Sequence, residues 1–420
     1  MTVIETVART TTTARPATER LLCHPRLPLA ACLDSTRPAV HVWECAEGQV
    51  NELASVGAES APYDAPGWDR LERTPVVAWH PHDPLLVVVT EGQIIRWTPD
   101  GLSAADGFPP GAAYQNLAFS PDGSTVWASP SSDPEDTPWE TSDAIALASG
   151  HVAKGRWWDT AAVEHPAGGL VTAYSSDQGA TLVLFAPVAG GPAPTPMRFL
   201  RRALILDADG YEAPLFSPDG RHFAIRGNAY DQSLDIFAFP SLRRVLSTTL
   251  GEPSPGHPYP DEWLEQNRAW SRHNIAFGGQ PDVLWIGTPA GALIALDLAE
   301  QRATEYDGVL SGSGVTALAT TSGGHLLAAT ADGGLALLFL RDATRRPAPD
   351  AAEQRAAVRS FLDSSSEVPG DGDLEAHLLL TDGQRTWAED DLETFTSAEP
   401  SDPMWLRLRA AVNKVREERT

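Results

Sequence analysis

The feature that most constrains this chain is a small unit that recurs seven times before residue 340. An apolar run leads into a His-Pro or Ser-Pro turn, a second apolar run follows, a Gly/Asp turn reverses the chain, and a third run completes the unit. The turns are His24-Pro25, His80-Pro81, Ser120-Pro121-Asp122-Gly123, His165-Pro166 and Ser217-Pro218-Asp219-Gly220, then two degenerate copies at Gly278-Gly279-Gln280-Pro281-Asp282 and Ser322-Gly323-Gly324. Self-similarity whose spacing varies around a period of roughly 40–45 residues, stretched by insertions, marks a repeat architecture, in which each unit is one supersecondary element buried by its neighbours. The degenerate last copies leave six or eight units open as neighbouring counts.

Each unit has strand chemistry. Val76-Val77-Ala78-Trp79 precedes the turn at His80-Pro81, Leu85 to Thr90 follows it, and Glu91-Gly92 turns the chain into Ile94-Ile95-Arg96-Trp97. The fifth unit repeats the plan with Pro214-Leu215-Phe216, His222-Phe223-Ala224-Ile225 and Leu234-Asp235-Ile236-Phe237. Short β-branched and aromatic runs punctuated by Gly, Pro and Asp form antiparallel meanders. Near-continuous apolar inner runs require cover on both faces, whereas a one-sided sheet alternates.

Cys23-His24-Pro25, then Leu29-Ala30-Ala31-Cys32-Leu33-Asp34, then Val40-His41-Val42-Trp43 resembles a WD40 repeat, and the two Phe-Ser-Pro-Asp-Gly stretches are similar to PD40-type propeller repeats. The resemblance spans about residues 20–340 and implies an all-β fold, a seven-bladed β-propeller. It departs from the WD40 pattern in lacking the opening Gly-His pair. The closing Trp-Asp is replaced by Trp43-Glu44 or Trp97-Thr98, which puts the usual Asp-His-Ser-Trp network in doubt. The turns place blades at about 20–56, 75–106, 114–157, 159–207, 212–250, 272–306 and 314–340. The last has three clear strands, and Val3 to Ala8 has the composition to supply a fourth, closing the propeller with an N-terminal strand.

The chain is expected to divide into a 1–340 propeller and a 341–420 extension. The extension reads as a linker, a helix over 351–362 with Val358, Phe361 and Leu362 on one side, and a hairpin from Leu374–Leu380 and Arg385-Thr386-Trp387. A terminal helix over 403–419 carries Trp405, Leu408, Val412 and Val415 at helical spacing. Packing of that apolar face onto the propeller is the expected arrangement, with docking of a partner as the alternative.

Formal charge is −25, and the only lysines are Lys154 and Lys414. Clustered cations able to displace phosphate counterions are absent, so nucleic acid is not the expected partner. Cys23, Cys32 and Cys45 sit in apolar runs, and neither Cys-x-x-Cys spacing nor an even count supports a metal or disulfide framework. A signal-peptide-like core and an 18-residue apolar run are absent, giving the expectation of a cytoplasmic protein with no membrane contact.

Catalytic signatures are equally sparse. Gly-x-Ser-x-Gly does not occur, and Ser311-Gly312-Ser313-Gly314 lacks the Lys and helix of a phosphate loop. His80-Pro81-His82-Asp83 is kinked by its proline, and the turn histidines are read as caps of backbone groups. Acidic runs such as Glu389-Asp390-Asp391 read as solvated surface. No catalytic residue, cofactor or metal ligand is assigned.

Three polar insertions carry the functional signal: Gly57 to Arg73, Pro130 to Ser142 and Gly251 to Arg272, each with four acids and together −8. In a four-stranded blade these connections open on one face. They carry Tyr63, Trp68, Trp139, Tyr259, Trp263 and Trp270, beside acids including Glu135, Asp136 and Glu262. Aromatics among acids on loops suit a basic protein surface through cation–π contacts and charge pairing; each Trp pinning its own loop is the alternative. The expectation is a non-catalytic scaffold or adaptor. A propeller hydrolase or lyase, or a sensor of a cationic small molecule, are the rival readings.

Overall fold

The computed structural model describes residues 2–10, 16–46, 48–64, 70, 73–109, 111, 113–131, 141–159, 162–176, 180–188, 194–208, 212–227, 231–342, 350–369, 374–382, 385–400, 402 and 404–419. Seven antiparallel sheets form the blades of an all-β seven-bladed propeller, at residues 18–56, 76–104, 116–156, 163–206, 215–249, 275–306 and 315–342. The burial pattern explains the strand composition. The second strands Leu29–Asp34, Leu86–Thr90, Thr125–Ser129 and Leu326–Thr330 are buried at every residue, whereas outer strands such as Gly101–Ala104 are exposed throughout. Neighbouring blades cover both faces of the inner strands, so alternation disappears there. Thr90 pairs with Gln93 across Glu91 and Gly92, whose φ values of 46° and 74° give the primed turn that matches strand twist.

The chain divides into two compact units. The larger holds blades one, two, three, six and seven. Apolar seams join blade six to seven (Trp285, Leu293, Leu326, Leu338), seven to one (Leu327, Leu337, Ala30, Trp43), one to two (Leu33, Val42, Leu86, Trp97) and two to three (Val87, Val89, Val126, Ile145). Blade seven receives its outer strand from the N-terminus: Thr2–Thr10 runs antiparallel to Leu335–Asp342, from Thr2 opposite Asp342 to Thr10 opposite Leu335, with one bulge. Arg9 further bonds Ser311 Oγ and the Val309 carbonyl, at 2.6 and 2.8 Å.

The smaller unit holds blades four and five and residues 349–420. These C-terminal residues extend a sheet. Leu380–Thr381 pairs in parallel with Ala203–Leu206, the fourth strand of blade four, and Thr386–Trp387 then pairs with it as a hairpin. The expected first hairpin strand, Leu374–Leu380, is thus reduced to its end, because Leu374–His377 forms a helical turn. Five helices occur among the described residues: α1 (Asp261–Ala269) in the larger unit, and α2 (Ala351–Asp363), α3 (Leu374–His377), α4 (Glu389–Thr394) and α5 (Met404–Glu417) in the smaller. On α2, Val358 and Phe361 join Phe185, Phe223 and Phe239 in the seam of blades four and five, and Arg202 lies 4.9 Å over the Phe361 ring.

The His-Pro turns do more than reverse the chain. His24 Nδ1 accepts the amides of Arg26 and Leu27, which fixes the proton on Nε2, and Nε2 donates to the Asp83 carbonyl of blade two at 2.9 Å. His80 accepts from His82 and Asp83 and bonds the Gly123 carbonyl of blade three, and His165 accepts from Ala167 and donates to the Gly220 carbonyl of blade five at 2.9 Å. Each ring also stands edge-on against the aromatic before the receiving turn, namely Trp79, Phe119 and Phe216, at 5.3, 5.2 and 4.8 Å. The Ser-Pro-Asp-Gly turns are sockets for this peg. A Cβ at Gly123 would lie 1.9 Å from His80 Nε2, and one at Gly220 2.3 Å from His165 Cε1.

Removal of residues 2–10 strips blade seven of its outer strand and is expected to lower the melting temperature by about 10 °C or more in calorimetry. His80→Ala, which empties a buried peg and strands backbone groups, is expected to cost about 2 kcal/mol in denaturant titration.

Burial lowers the pKa of His24, His80 and His165 below the ordinary 6.5, despite opposing bonds to backbone carbonyls. The unfolded chain therefore binds more protons in this range. The stability these groups supply is complete above about 6.5 and is lost as pH falls below it. His41 acts in the opposite sense: burial lowers it, but bonds to Asp34 and Glu52 prevail and raise it. With three histidines against one, the melting temperature is expected to fall between about pH 7.5 and 5.5, and replacing all three peg histidines by Gln is expected to flatten that fall.

Candidate functional site

Two of the three insertions are tied to one carboxylate. Glu19, on the inner strand Thr18–Cys23 of blade one, receives Arg70 at 2.5 Å and Arg272 at 3.2 Å. Arg70 comes from the connection between blades one and two, and Arg272 from the segment that leads into blade six, so a single side chain gathers both. Arg70 also bonds the Ser35 carbonyl at 3.1 Å. Beside it, Asp34 accepts the Thr36 amide and hydroxyl at 2.6 and 2.8 Å, and the Thr36 carbonyl accepts the Tyr63 amide at 2.8 Å.

Tyr63 lies under two guanidinium groups of its own segment, Arg70 at 5.0 Å and Arg73 at 5.6 Å from the ring centre. Arg73 reaches on to the Ala61 and Pro62 carbonyls and to Glu91 of blade two at 3.0 Å. Tyr63 is thereby a clamp for its loop, and burial pushes its phenol up to about 12.

The third insertion contains a helix that the repeat pattern does not reveal. α1 starts after Pro260, with Asp261 and Glu262 in its first turn, where negative charge suits the helix dipole, and Arg268 in its last. Pro followed by paired acids is a start signal that a search for repeats passes over. Trp263 is 9% exposed and anchors α1, while Asp261, Glu262 and Glu265 on the same helix are exposed. Trp270 ends the helix half-buried, its amide donating to the Asn267 carbonyl. Beyond it, Ser271 donates to the Thr316 carbonyl and His273 bridges Ala317, fastening the segment to the inner strand of blade seven. Tyr259, 38% exposed, stands edge-on to His257 at 5.8 Å within the smaller unit. Trp68, Glu135, Asp136 and Trp139 lie outside the described residues.

The charges of these loops are sorted by partner. Arg70, Arg73 and Arg272 reach carboxylates of the blades, Glu19 and Glu91, whereas the loop carboxylates Glu59 and Asp64 are exposed like those of α1. The larger unit thus presents acids on these loops with much of their positive charge turned inward.

Two further polar clusters among the described residues, around Asp143 and around His41, are internally satisfied. Asp143 of blade three is buried and accepts from Tyr114 Oη at 2.7 Å, Ser131 Oγ at 3.0 Å and Lys154 Nζ at 2.9 Å. The Ser131–Lys154 contact superficially resembles a nucleophile with its base, but the ammonium is committed to Asp143. His41 joins Asp34 and Glu52 at 3.9 and 2.7 Å in blade one. Cys23, Cys32 and Cys45 are free thiols in the seam of blades seven and one, and burial pushes Cys45 up to about 12 and raises Cys23 and Cys32 well above the ordinary thiol range, which makes them unreactive. No group of three or more His, Cys, Asp or Glu able to hold a metal occurs among the described residues, and no helix there is long and apolar enough to cross a membrane.

Compared with known proteins, the sequence matches no family model and no curated protein. The functional reading therefore rests on the residues themselves. Glu19→Gln removes the charge that gathers Arg70 and Arg272, and is expected to raise amide hydrogen exchange in residues 57–64 and 260–274 while leaving the second strands of the blades protected.

Proposed function

We propose that this chain is a non-catalytic, WD40-like scaffold or adaptor that holds a protein partner with a basic surface. The contact is made through the acidic, aromatic loops Gly57 to Arg73, Pro130 to Ser142 and Gly251 to Arg272. The observation that carries this reading is the sorting of charge around Glu19. Two loop arginines are drawn onto a blade carboxylate, and the described loop acids Glu59, Asp64, Glu252, Asp261, Glu262 and Glu265 are exposed. Charge complementarity of this kind steers association and fixes partner choice more than it adds raw affinity.

The aromatics divide into two roles. Tyr63 and Trp263 hold their segments in place, which gives the loops the rigidity a recognition surface needs. Tyr259, Glu262 and Trp270, with Trp68, Glu135, Asp136 and Trp139, are the contact residues of the proposal. Three free thiols, two of them buried, suit a reducing, cytoplasmic setting.

The test is capture from host extract followed by carbodiimide cross-linking, comparing the wild-type chain with Asp64→Lys/Glu262→Lys/Glu265→Lys. These side chains are exposed, so the melt is expected to stay within a few degrees. Capture of a partner is expected to fall by about tenfold or more, with wild-type cross-links joining loop carboxylates to partner lysines. Undiminished capture, or cross-links confined to other surfaces, overturns the assignment.

A further inference from the structure

The terminal helix α5 is turned the other way from the sequence expectation. Trp405, Leu408, Val412 and Val415 form the obvious apolar row, yet Leu408, Val412 and Val415 are exposed by 61%, 48% and 46%, as is Met404 by 53%. The face that packs is the smaller one: Leu406 and Ala410 are buried, and so is Asn413, whose amide donates to the Leu392 and Phe395 carbonyls at 2.8 and 2.9 Å. The start of α5 is fixed as well, since the Met404 amide donates to Asp207 at 3.0 Å. Just before it, buried Asp402 accepts from Arg385, which lies over Trp387. The helix is therefore seated, and its outward row is a built surface of the folded protein.

At 100° per residue, the exposed row occupies one side of α5, from Met404 through Val415 and Leu408 to Val412. Arg407 and Lys414 flank it on one border, and Arg409 and Arg416 on the other. These four cations face one carboxylate, Glu417, in a chain whose formal charge is −25. Beside the first border is a groove of about 500 Å³, lined by residues 396–400 and by Arg407, Ala410, Ala411 and Lys414. Glu399 is the one carboxylate in that lining.

We infer that α5 is a docking surface for an acidic amphipathic helix of another protein, whose apolar row lies on Met404, Leu408, Val412 and Val415 and whose carboxylates meet the flanking cations. The apolar row runs about 16 Å, or three turns, which matches a partner helix of about 12 residues. A second copy of α5 is the wrong occupant, because it would set cation rows against each other. An anionic membrane is disfavoured because its extended charge meets the acidic bulk of the chain, which a helix of about 12 residues confined to the cation rows does not. This surface lies apart in sequence from the acidic loops and takes a partner of the opposite charge, so either assignment can fail without the other.

Fluorescence anisotropy tests the proposal on the full chain. The probes are a labelled peptide of about 14 residues, with leucines at helical spacing flanked by glutamates, and its lysine-for-glutamate counterpart. The acidic peptide is expected to bind, to weaken as salt rises, and to lose about tenfold or more in affinity to Leu408→Asp/Val412→Asp and separately to Arg407→Glu/Lys414→Glu. Both pairs are exposed, so an unchanged melt distinguishes lost docking from lost folding. Failure of the acidic peptide to bind, equal binding of the two peptides, or binding indifferent to both variants overturns the proposal. So does a wild-type dimer in sedimentation that Leu408→Asp/Val412→Asp dissolves, or co-pelleting with phosphatidylserine vesicles that the same variant abolishes.

Discussion

Neighbouring blades of a propeller need a contact that sets their spacing as well as their burial, and in this chain that contact is a neutral imidazole. At His24, His80 and His165 one ring nitrogen accepts backbone amides of its own turn and the other reaches a carbonyl of the next blade. The ring also stands edge-on to the aromatic that precedes the receiving turn. The apolar seams supply the bulk of the stabilisation, but they are non-directional. The peg is directional, so it fixes how far one blade stands from the next. It also explains why the receiving turns at Gly123 and Gly220 have no room for a Cβ.

Much of this architecture could be read from the chain because its signals are local. An aromatic, then His-Pro or Ser-Pro, then a buried run marks the first two strands of a blade, and Glu91-Gly92 marks the next hairpin. The fourth strand of blade seven was legible too, since residues 2–10 carry strand chemistry and blade seven lacks an outer strand. What could not be read depends on long-range partners. Nothing in Leu380-Thr381 says that it will lie parallel to Ala203–Leu206. Nothing about Glu19, a single acid after a Thr-rich stretch, says that arginines 51 and 253 residues away will converge on it.

The terminal helix is the sharpest instance. Periodicity finds an apolar face, and the rule that such a face is buried then assigns its orientation. Here the rule fails because a better-fitting face exists. Ala410 is small enough for close approach, Leu406 is fully buried beside it, and Asn413 satisfies two carbonyls that a leucine would leave unpaired. The more hydrophobic row is left outside, and that inversion is itself information about function.

Charge gives the two candidate surfaces their meaning. A chain with 56 acidic and 31 basic side chains can sequester its cations or gather them. Around Glu19 it draws two arginines onto a blade carboxylate and leaves loop acids such as Glu59 and Asp64 exposed. On α5 it gathers four cations around an apolar row. Opposite signs on separate surfaces select against one partner occupying both and against self-pairing at either, because like would meet like. With both proposed surfaces occupied, the chain would join two different partners, one basic and one acidic.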